Sequence, residues 1–307
     1  MLATFAEPIR RSTAPRDCAW CGRPLDATAT RFAGRLRCAS CGVGNTDPWP
    51  TEAELDDAYA EWYRPASGRF SGIGDWLLRR TRGRLARRLD RLAPAGAVLD
   101  VGAGEGALLD ALAARGRRAV GLERQSTRPD VREGELEDIG GEWAAIVFWH
   151  SLEHLANPGD DLERAAALLR SGGLLVIAVP NADSFQARVF GDRWLALDLP
   201  RHLVHLPASA LLERLRSLDL EVQRVSYWRG GQVLFGWLHG VVGALPGQPD
   251  LYDAIRRPEA RREPMARSAR LLTIAATVLL SPIAALGATV EIGVRRGGTV
   301  YVEARHA

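Results

Sequence analysis

Lysine is missing altogether: the 307 residues carry 40 basic side chains, all of them arginine, against 37 acids, for a net charge of +3. An all-arginine set points to a GC-rich gene rather than to selection for phosphate, and so small a net charge gives no basis for a nucleic-acid partner. The first sixteen residues lack the apolar run of a signal peptide and contain Glu7 and several arginines, which leads to the expectation of a cytoplasmic protein. Cysteine occurs four times, never after position 41. What is present, 25% charged and 47% hydrophobic residues, is ordinary for a soluble globular chain. The length suits one large domain with an accessory module.

The cysteines fall in two pairs, Cys18-x-x-Cys21-Gly22 and Cys38-x-x-Cys41-Gly42, with sixteen residues between them. That spacing suits one tetrahedral zinc held by four thiolates, and the glycine after each pair lets the knuckle turn its N–H groups toward sulfur. Two disulfides or four free thiols are the other readings, and a reducing cytoplasm disfavours the disulfides. Four thiolates leave no open coordination position, so a zinc on Cys18, Cys21, Cys38 and Cys41 is expected to be structural. Its loss is expected to unfold roughly the first fifty residues and to leave cofactor binding largely intact.

The stretch Val98-Leu99-Asp100-Val101-Gly102-Ala103-Gly104-Glu105-Gly106 reads as a buried strand turning tightly into a helix that continues through Leu108, Leu109 and Leu112. Alternate glycines let the backbone pass close under a nucleoside-like ligand, and the helix start offers N–H groups to it. Gly102, Gly104 and Ala107 also satisfy the dinucleotide fingerprint, and Glu123, closing Ala119-Val120-Gly121-Leu122, suits ribose hydroxyls in either case. A fold of this kind that binds nothing is the third reading. Further strands are expected near 131–133, 143–149, 173–179 and 220–227 with helices between, which predicts an α/β, doubly wound Rossmann-like sheet. Ligands of such sheets lie beyond the carboxyl ends of the strands, so the loops at Gly102, Glu123, Gly134-Glu135-Leu136 and His150 are the candidate site.

From Asp100 to Asn181 the chain resembles the class I S-adenosylmethionine (SAM) dependent methyltransferases. The resemblance lies in the glycine loop, in Ser151-Leu152-Glu153-His154-Leu155-Ala156-Asn157-Pro158, and in Leu168-Leu169-Arg170-Ser171-Gly172-Gly173 running into Leu174 to Asn181. It implies a seven-stranded sheet in which Asp100, Gly102, Gly104 and Gly106 hold the methionine part of SAM, Glu123 the ribose, and Glu135 with Leu136 the adenine. One departure is Trp143-Ala144-Ala145-Ile146, which has no Asp where the fourth strand begins; we read it as a lost structural hydrogen bond outside the cofactor contacts. Upstream, Pro50-Thr51-Glu52-Ala53-Glu54-Leu55 opens a helix with a capping box and runs on to Tyr59, Trp62 and Tyr63. With the cysteine pairs, this is similar to a bacterial zinc-ribbon branch of the same family. The three aromatics either lie near the substrate or staple the ribbon to the catalytic domain.

Methyl transfer from a sulfonium is an in-line displacement, so the enzyme holds the nucleophile near the methyl carbon and removes a proton if one must leave. The phrase Trp194-Leu195-Ala196-Leu197-Asp198-Leu199-Pro200-Arg201-His202-Leu203-Val204-His205 resembles a family loop that closes over substrate. His202 is the first candidate base and His150 the second, although a histidine at a strand end also suits a hydrogen bond to a loop carbonyl. Glu153 and His154 are expected to brace the loop.

Between the ribbon and the core, Ser71 to Leu92 reads as an amphipathic helix with Leu78, Leu85, Leu89 and Leu92 on one face. Its arginines form a solvated face or a contact for an anionic partner. Gly298 to Arg305 alternates as a strand and is expected to insert, antiparallel, beside Leu220 to Tyr227, which makes Trp228 to Gly297 an insertion between neighbouring strands. Within it Leu271 to Val290 is uncharged and follows Arg256, Arg257, Arg261, Arg262, Arg267 and Arg270. Its length suits a membrane span, yet a single crossing would strand the last β-strand on the far side, and Ser281-Pro282 suggests two short helices joined by a break.

The expected organisation is a zinc ribbon (1–50), connecting helices (51–93), a SAM-binding core (94–228), an apolar helical insertion (229–297) and a final strand (298–307). The expected function is SAM-dependent methylation of a small molecule, a sugar or a lipid-linked intermediate, with peripheral contact to the inner membrane face through 229–297. An RNA methyltransferase would use Arg31, Phe32, Arg35, Arg37 and the arginine helix as a basic track, but the "N-P-P-Y"-type phrase of nucleic-acid amino methylases is missing. A non-catalytic SAM-binding scaffold is the third reading.

Overall fold

Apolar residues that alternate along each strand divide between the two faces of one sheet. The computed structural model describes residues 17–25, 29–60, 70, 73–228, 231–261 and 264–306. Three short strands open it, β1 (Thr30–Phe32), β2 (Arg35–Arg37) and β3 (Gly44–Thr46), then the helices α1 (Glu52–Ala58) and α2 (Ile73–Leu92). The core follows as β4 (Val98–Val101), α3 (Ala107–Ala113), β5 (Ala119–Glu123), β6 (Val131–Glu133), β7 (Trp143–Trp149), α4 (Pro158–Leu168) and β8 (Leu169–Pro180). Then come α5 (Phe185–Phe190), β9 (Val204–His205), α6 (Ala208–Ser217), β10 (Leu220–Ser226), α7 (Gly231–Gly243), α8 (Leu251–Ile255), α9 (Arg267–Gly293) and β11 (Thr299–His306).

Seven strands form the sheet in the order β10-β11-β8-β7-β4-β5-β6, and β11 runs antiparallel to both its neighbours. Leu99, Ile146, Phe148 and Ile177 face α4 and α6 through Leu162, Leu211 and Leu215, whereas Val98, Ala145, Val147 and Val176 face α2 and α3 through Leu85, Leu89, Leu108 and Leu112. Every residue of β7 is buried, and each large apolar side chain there contributes about 1.5–3 kcal/mol. The strand order reverses between β4 and β7, and sheets of this kind bind their ligands beyond the strand ends at such a point.

The expected arginine face of α2 is only partly solvated. Arg79, Arg80, Arg84, Arg87 and Arg91 are exposed, but the Arg82 guanidinium lies 4.7 Å from the centre of the Trp149 ring and Arg88 pairs with buried Glu303 on β11. Leu78 gives no side-chain description, and Trp62, Tyr63, Ser71 and Arg262 lie outside the described residues.

The ribbon is not an appendage. Its strands form a second sheet, β1-β2-β3-β9, whose last member comes from the histidine-bearing loop of the core. Cys18, Trp20, Cys38 and Val43 belong to the same hydrophobic cluster as Leu99, Phe148, Leu152 and Val204. Gly159, in the first turn of α4, lies so close under the Trp20 carbonyl that a Cβ there would collide with it. The expected capping box of α1 is present: Glu54 N–H donates to Thr51 Oγ1, and Thr51 N–H to Glu54 Oε2.

The insertion differs from expectation at Ser281-Pro282, where α9 continues unbroken for 27 residues. Pro282 has no N–H to give the carbonyl four residues back, Val278 O, and that carbonyl accepts instead from the Ser281 hydroxyl at 2.8 Å. Thr273, Ala284, Ala288 and Glu291 are its buried positions, while Leu271, Leu272, Val278, Leu279, Ile283 and Leu286 are more than half exposed. Arg267–Gly293 is long and apolar enough to cross a membrane. Both ends of the insertion nevertheless return to adjacent strands, β10 and β11.

Candidate active site

Three of the four candidate loops carry the residues expected to hold the cofactor. At the end of β4 the backbone turns through Gly102, Gly104 and Gly106 with φ of +78°, +56° and +75°, the left-handed region that glycine tolerates best. A Cβ on Gly102 would collide with the Ser151 side chain, whose hydroxyl donates to Val101 O, so the glycine loop and the loop after β7 lie against each other. Gly104 N–H donates to Glu123 Oε2 at 2.7 Å, and Arg124 N–H to Glu123 Oε1 at 3.1 Å. Asp100 is buried on β4, and burial pushes its carboxyl up to about 7 against the pull of the Arg82 guanidinium. Glu135 is exposed at the start of a 3-10 turn after β6, while the Leu136 side chain is buried in the core.

Beyond β7 the chain places a carboxylate among histidines. Glu153 is 2% exposed, and among the described residues neither of its oxygens accepts a hydrogen bond. His150 Nδ1 lies 3.4 Å from Glu153 Oε1, and His202 Nε2 lies 4.0 Å from the same oxygen and 3.6 Å from Asp198 Oδ2. Burial alone raises the Glu153 carboxyl, but His150, His154 and His202 outweigh it and hold the group below the usual range. Asp198 is held low in the same way, by His202 and by its ion pair with Arg201. Arg201 in turn donates to the Ala58 carbonyl at the end of α1 at 3.2 Å.

Carbonyl partners fix three imidazole tautomers, because a carbonyl only accepts. His202 Nδ1 donates to Ala196 O at 2.8 Å, so in the neutral ring the lone pair lies on Nε2, the nitrogen nearest Glu153 and Asp198. His154 Nδ1 lies 2.9 Å from Arg201 O and 2.8 Å from the Tyr59 hydroxyl; burial, then the neighbouring His202, lower its pKa to about 4. His205 Nε2 donates to Leu197 O at 3.0 Å, and burial followed by His202 lowers its pKa to about 3. Tyr59, at the C-terminal end of α1, joins that helix to His154 in the turn after β7. His150 takes φ +55°, and its Nε2 lies 3.4 Å from Gln232 Nε2 in the first turn of α7, so the insertion reaches the site.

The structure thus brings His202 and His150 together on Glu153, the residue that spacing alone presented as a brace. The missed signal is an acid three residues after His150, with Asp198 four residues before His202. Donor atoms of Glu153, His154 and His202 also lie within 4.8 Å of one another, a spacing at which one cation could bridge them.

At the ribbon, Cys18, Cys21, Cys38 and Cys41 bring their sulfurs within 4.8 Å of one another, with Cys18 to Cys41 at 3.6 Å and Cys21 to Cys38 at 3.8 Å. A tetrahedron with Zn–S bonds of about 2.3 Å has edges of about 3.8 Å, so the donor set fits zinc. Asn45 Nδ2 points at Cys18 Sγ from 3.4 Å, a contact that favours the thiolate.

Residues 77–225 match a family model described as a methyltransferase domain. Over 168 residues the chain is 29% identical to a ubiquinone biosynthesis O-methyltransferase of Xanthomonas campestris pv. campestris (strain B100), covering 45% of this chain and 70% of that one. A SAM-dependent methyltransferase structure from Archaeoglobus fulgidus is similar at 15% identity and a TM-score of 0.44, over 74% of this chain and 94% of that one. The structure of the [4+2]-cyclase SpnF is similar at 18% identity and a TM-score of 0.47, over 82% and 93%.

Proposed function

We propose that this chain, a SAM-dependent methyltransferase whose methyltransferase domain spans residues 77–225, methylates a small-molecule acceptor of sugar or lipid-linked type, with His202 as the base. SAM supplies a methyl carbon on a sulfonium that departs as a neutral thioether. Asp100, Gly102, Gly104 and Gly106 would hold its methionine part, Glu123 the ribose, and Glu135 with the backbone at Leu136 the adenine. A carboxylate takes up to about four donors, so Glu123 serves the glycine loop and the ribose hydroxyls at once.

The observation that carries the base assignment is the tautomer of His202. Its Nδ1–H is spent on Ala196 O, and Nε2 carries the lone pair toward two carboxylates, Asp198 and Glu153, which stabilise the imidazolium formed when Nε2 takes the acceptor's proton. His150 shares Glu153 and is the alternative base. The four cysteines hold a structural zinc.

Support for an apolar or lipid-linked acceptor comes from the insertion, which touches His150 through Gln232 and turns the leucine-rich face of α9 outward. That face is uncharged from Leu271 to Val290, with Arg267 and Arg270 before it and Arg295 and Arg296 after it. This is the pattern of a helix that rests in a membrane surface with its arginines at the headgroups. An RNA track at the ribbon is poorly supported: Arg31 pairs with Asp47, and Arg35 is buried beside the Phe32 ring.

The test uses methyl-labelled SAM and an acceptor extract from a deletion strain, where substrate lighter by one methyl accumulates. His202→Ala is expected to lower label transfer by ~10² or more at unchanged SAM affinity. A drop under about threefold, with a large one for His150→Ala, exchanges the two roles; no transfer by the wild-type protein to any extract fraction favours the scaffold. Wild-type protein should float with anionic liposomes, and Leu272, Val278 and Leu279 changed together to Ser should release it.

A further inference from the structure

A strand of two residues does not hold its own place. β9, Val204–His205, pairs only with β3 of the ribbon among the described residues, with Gly44 opposite His205 and Asn45 opposite Val204. The pairing is extended on the side of the candidate base: Thr46 N–H donates to Leu203 O at 2.9 Å, and the Thr46 hydroxyl donates to the His202 carbonyl at 2.6 Å. Leu203 N–H then donates to the carbonyl of Glu153 at 2.8 Å. One row of hydrogen bonds therefore runs from the ribbon, across the histidine loop, to the backbone of Glu153, the residue whose carboxylate the histidines share.

The other end of that row is the cysteine cluster. Asn45 stands opposite Val204 in the pairing, and its side chain donates to Cys18 Sγ at 3.4 Å and accepts from Ala19 N–H at 2.9 Å. β1, β2 and β3 have three residues each, too few to persist as a free sheet, so β3 is held by the knuckles on either side of it.

We propose that the metal-bound ribbon is a positioning element of the active site: through Asn45 and Thr46 it sets the place of the loop 198–206 and so of His202 relative to Glu153. Thr46 acts as a positioning residue, since it touches the His202 backbone and not the reacting atoms. This rests on the assignment of His202 as base, and it differs from the expectation that zinc loss unfolds only the first fifty residues. The glycine loop is tied within the core, Gly104 N–H to Glu123, so SAM binding is expected to be spared and the histidine loop is not.

The experiment compares the full-length zinc-loaded protein with Thr46→Val, Thr46→Ser and the protein stripped of zinc by a mercurial and a chelator. Readouts are amide hydrogen exchange at Leu203 and Val204, SAM binding by calorimetry, and zinc content. Thr46→Val is expected to speed exchange at those amides about tenfold or more, with zinc content and SAM affinity within twofold of wild type; Thr46→Ser, which keeps the hydroxyl, is expected to restore protection. Zinc removal is expected to expose the same amides. Unchanged protection in both Thr46→Val and the stripped protein overturns the proposal. A loop that loosens while label transfer stays at the wild-type rate supports the coupling and instead overturns His202 as the base, so the two readings fail separately.

Discussion

Glu123 serves the protein before any ligand arrives: its carboxylate holds the glycine loop through Gly104 N–H. Glu123→Ala loosens the loop and takes away the proposed ribose acceptor, and is expected to weaken SAM binding by ~1–3 kcal/mol, with Gly104→Val weakening it through strain at φ +56°. Calorimetry that finds wild-type affinity in both variants removes these residues from the cofactor site. The position of Glu123 was readable, because a strand end after an apolar run fixes where its side chain must emerge. That of Glu153 was not. Its meaning depends on His150 and His202, the second of them forty-nine residues away, which come together only once β9 is docked.

At the level of elements, the strands of the core were legible to within a residue or two, except that β8 begins earlier, at Leu169, than the apolar run suggests. Alternating burial and glycine turns leave little freedom there. The continuity of α9 is not legible in the sequence, because proline is a local signal and its remedy, the Ser281 hydroxyl on Val278 O, is a matter of geometry. A second feature of α9 was invisible for the same reason. Glu291 is fully buried and accepts from Gln186 N–H at 2.8 Å, from Gln186 Nε2 at 2.9 Å and from Trp237 Nε1 at 2.9 Å, so one carboxylate joins α5, α7 and α9. Glu291→Ala leaves three buried donors unpaired and is expected to cost ~3 kcal/mol or more. Limited proteolysis should then cut α7 and α9 first, while the cysteines keep their metal. A variant as protease-resistant as wild type shows that apolar packing alone holds the insertion.

Across the whole molecule, ribbon, sheet and histidine loop share one core, and the acid stability of that core depends on imidazoles kept neutral. The separate-module picture came from composition, since a two-residue strand such as Val204–His205 has no periodicity to reveal its pairing. His205 illustrates the consequence. Its Nε2–H is bonded to Leu197 O, its buried Nδ1 has no hydrogen-bond partner among the described residues, and its pKa falls from 6.5 to about 3. A depressed imidazole pKa means that below 6.5 the unfolded chain binds a proton the folded chain refuses. The contribution to stability is then complete above about pH 6.5 and is lost as pH falls toward 3. Between pH 7 and pH 5 that loss is about 2 kcal/mol for one such group. His205→Gln keeps a donor for Leu197 O and cannot take up a proton, so its urea midpoint should fall less than that of wild type over the same interval, which cancels the titrations the two proteins share. Parallel pH profiles for the two proteins would mean that His205 is solvated in the folded state and that the contact between ribbon and loop is looser than its hydrogen bonds imply.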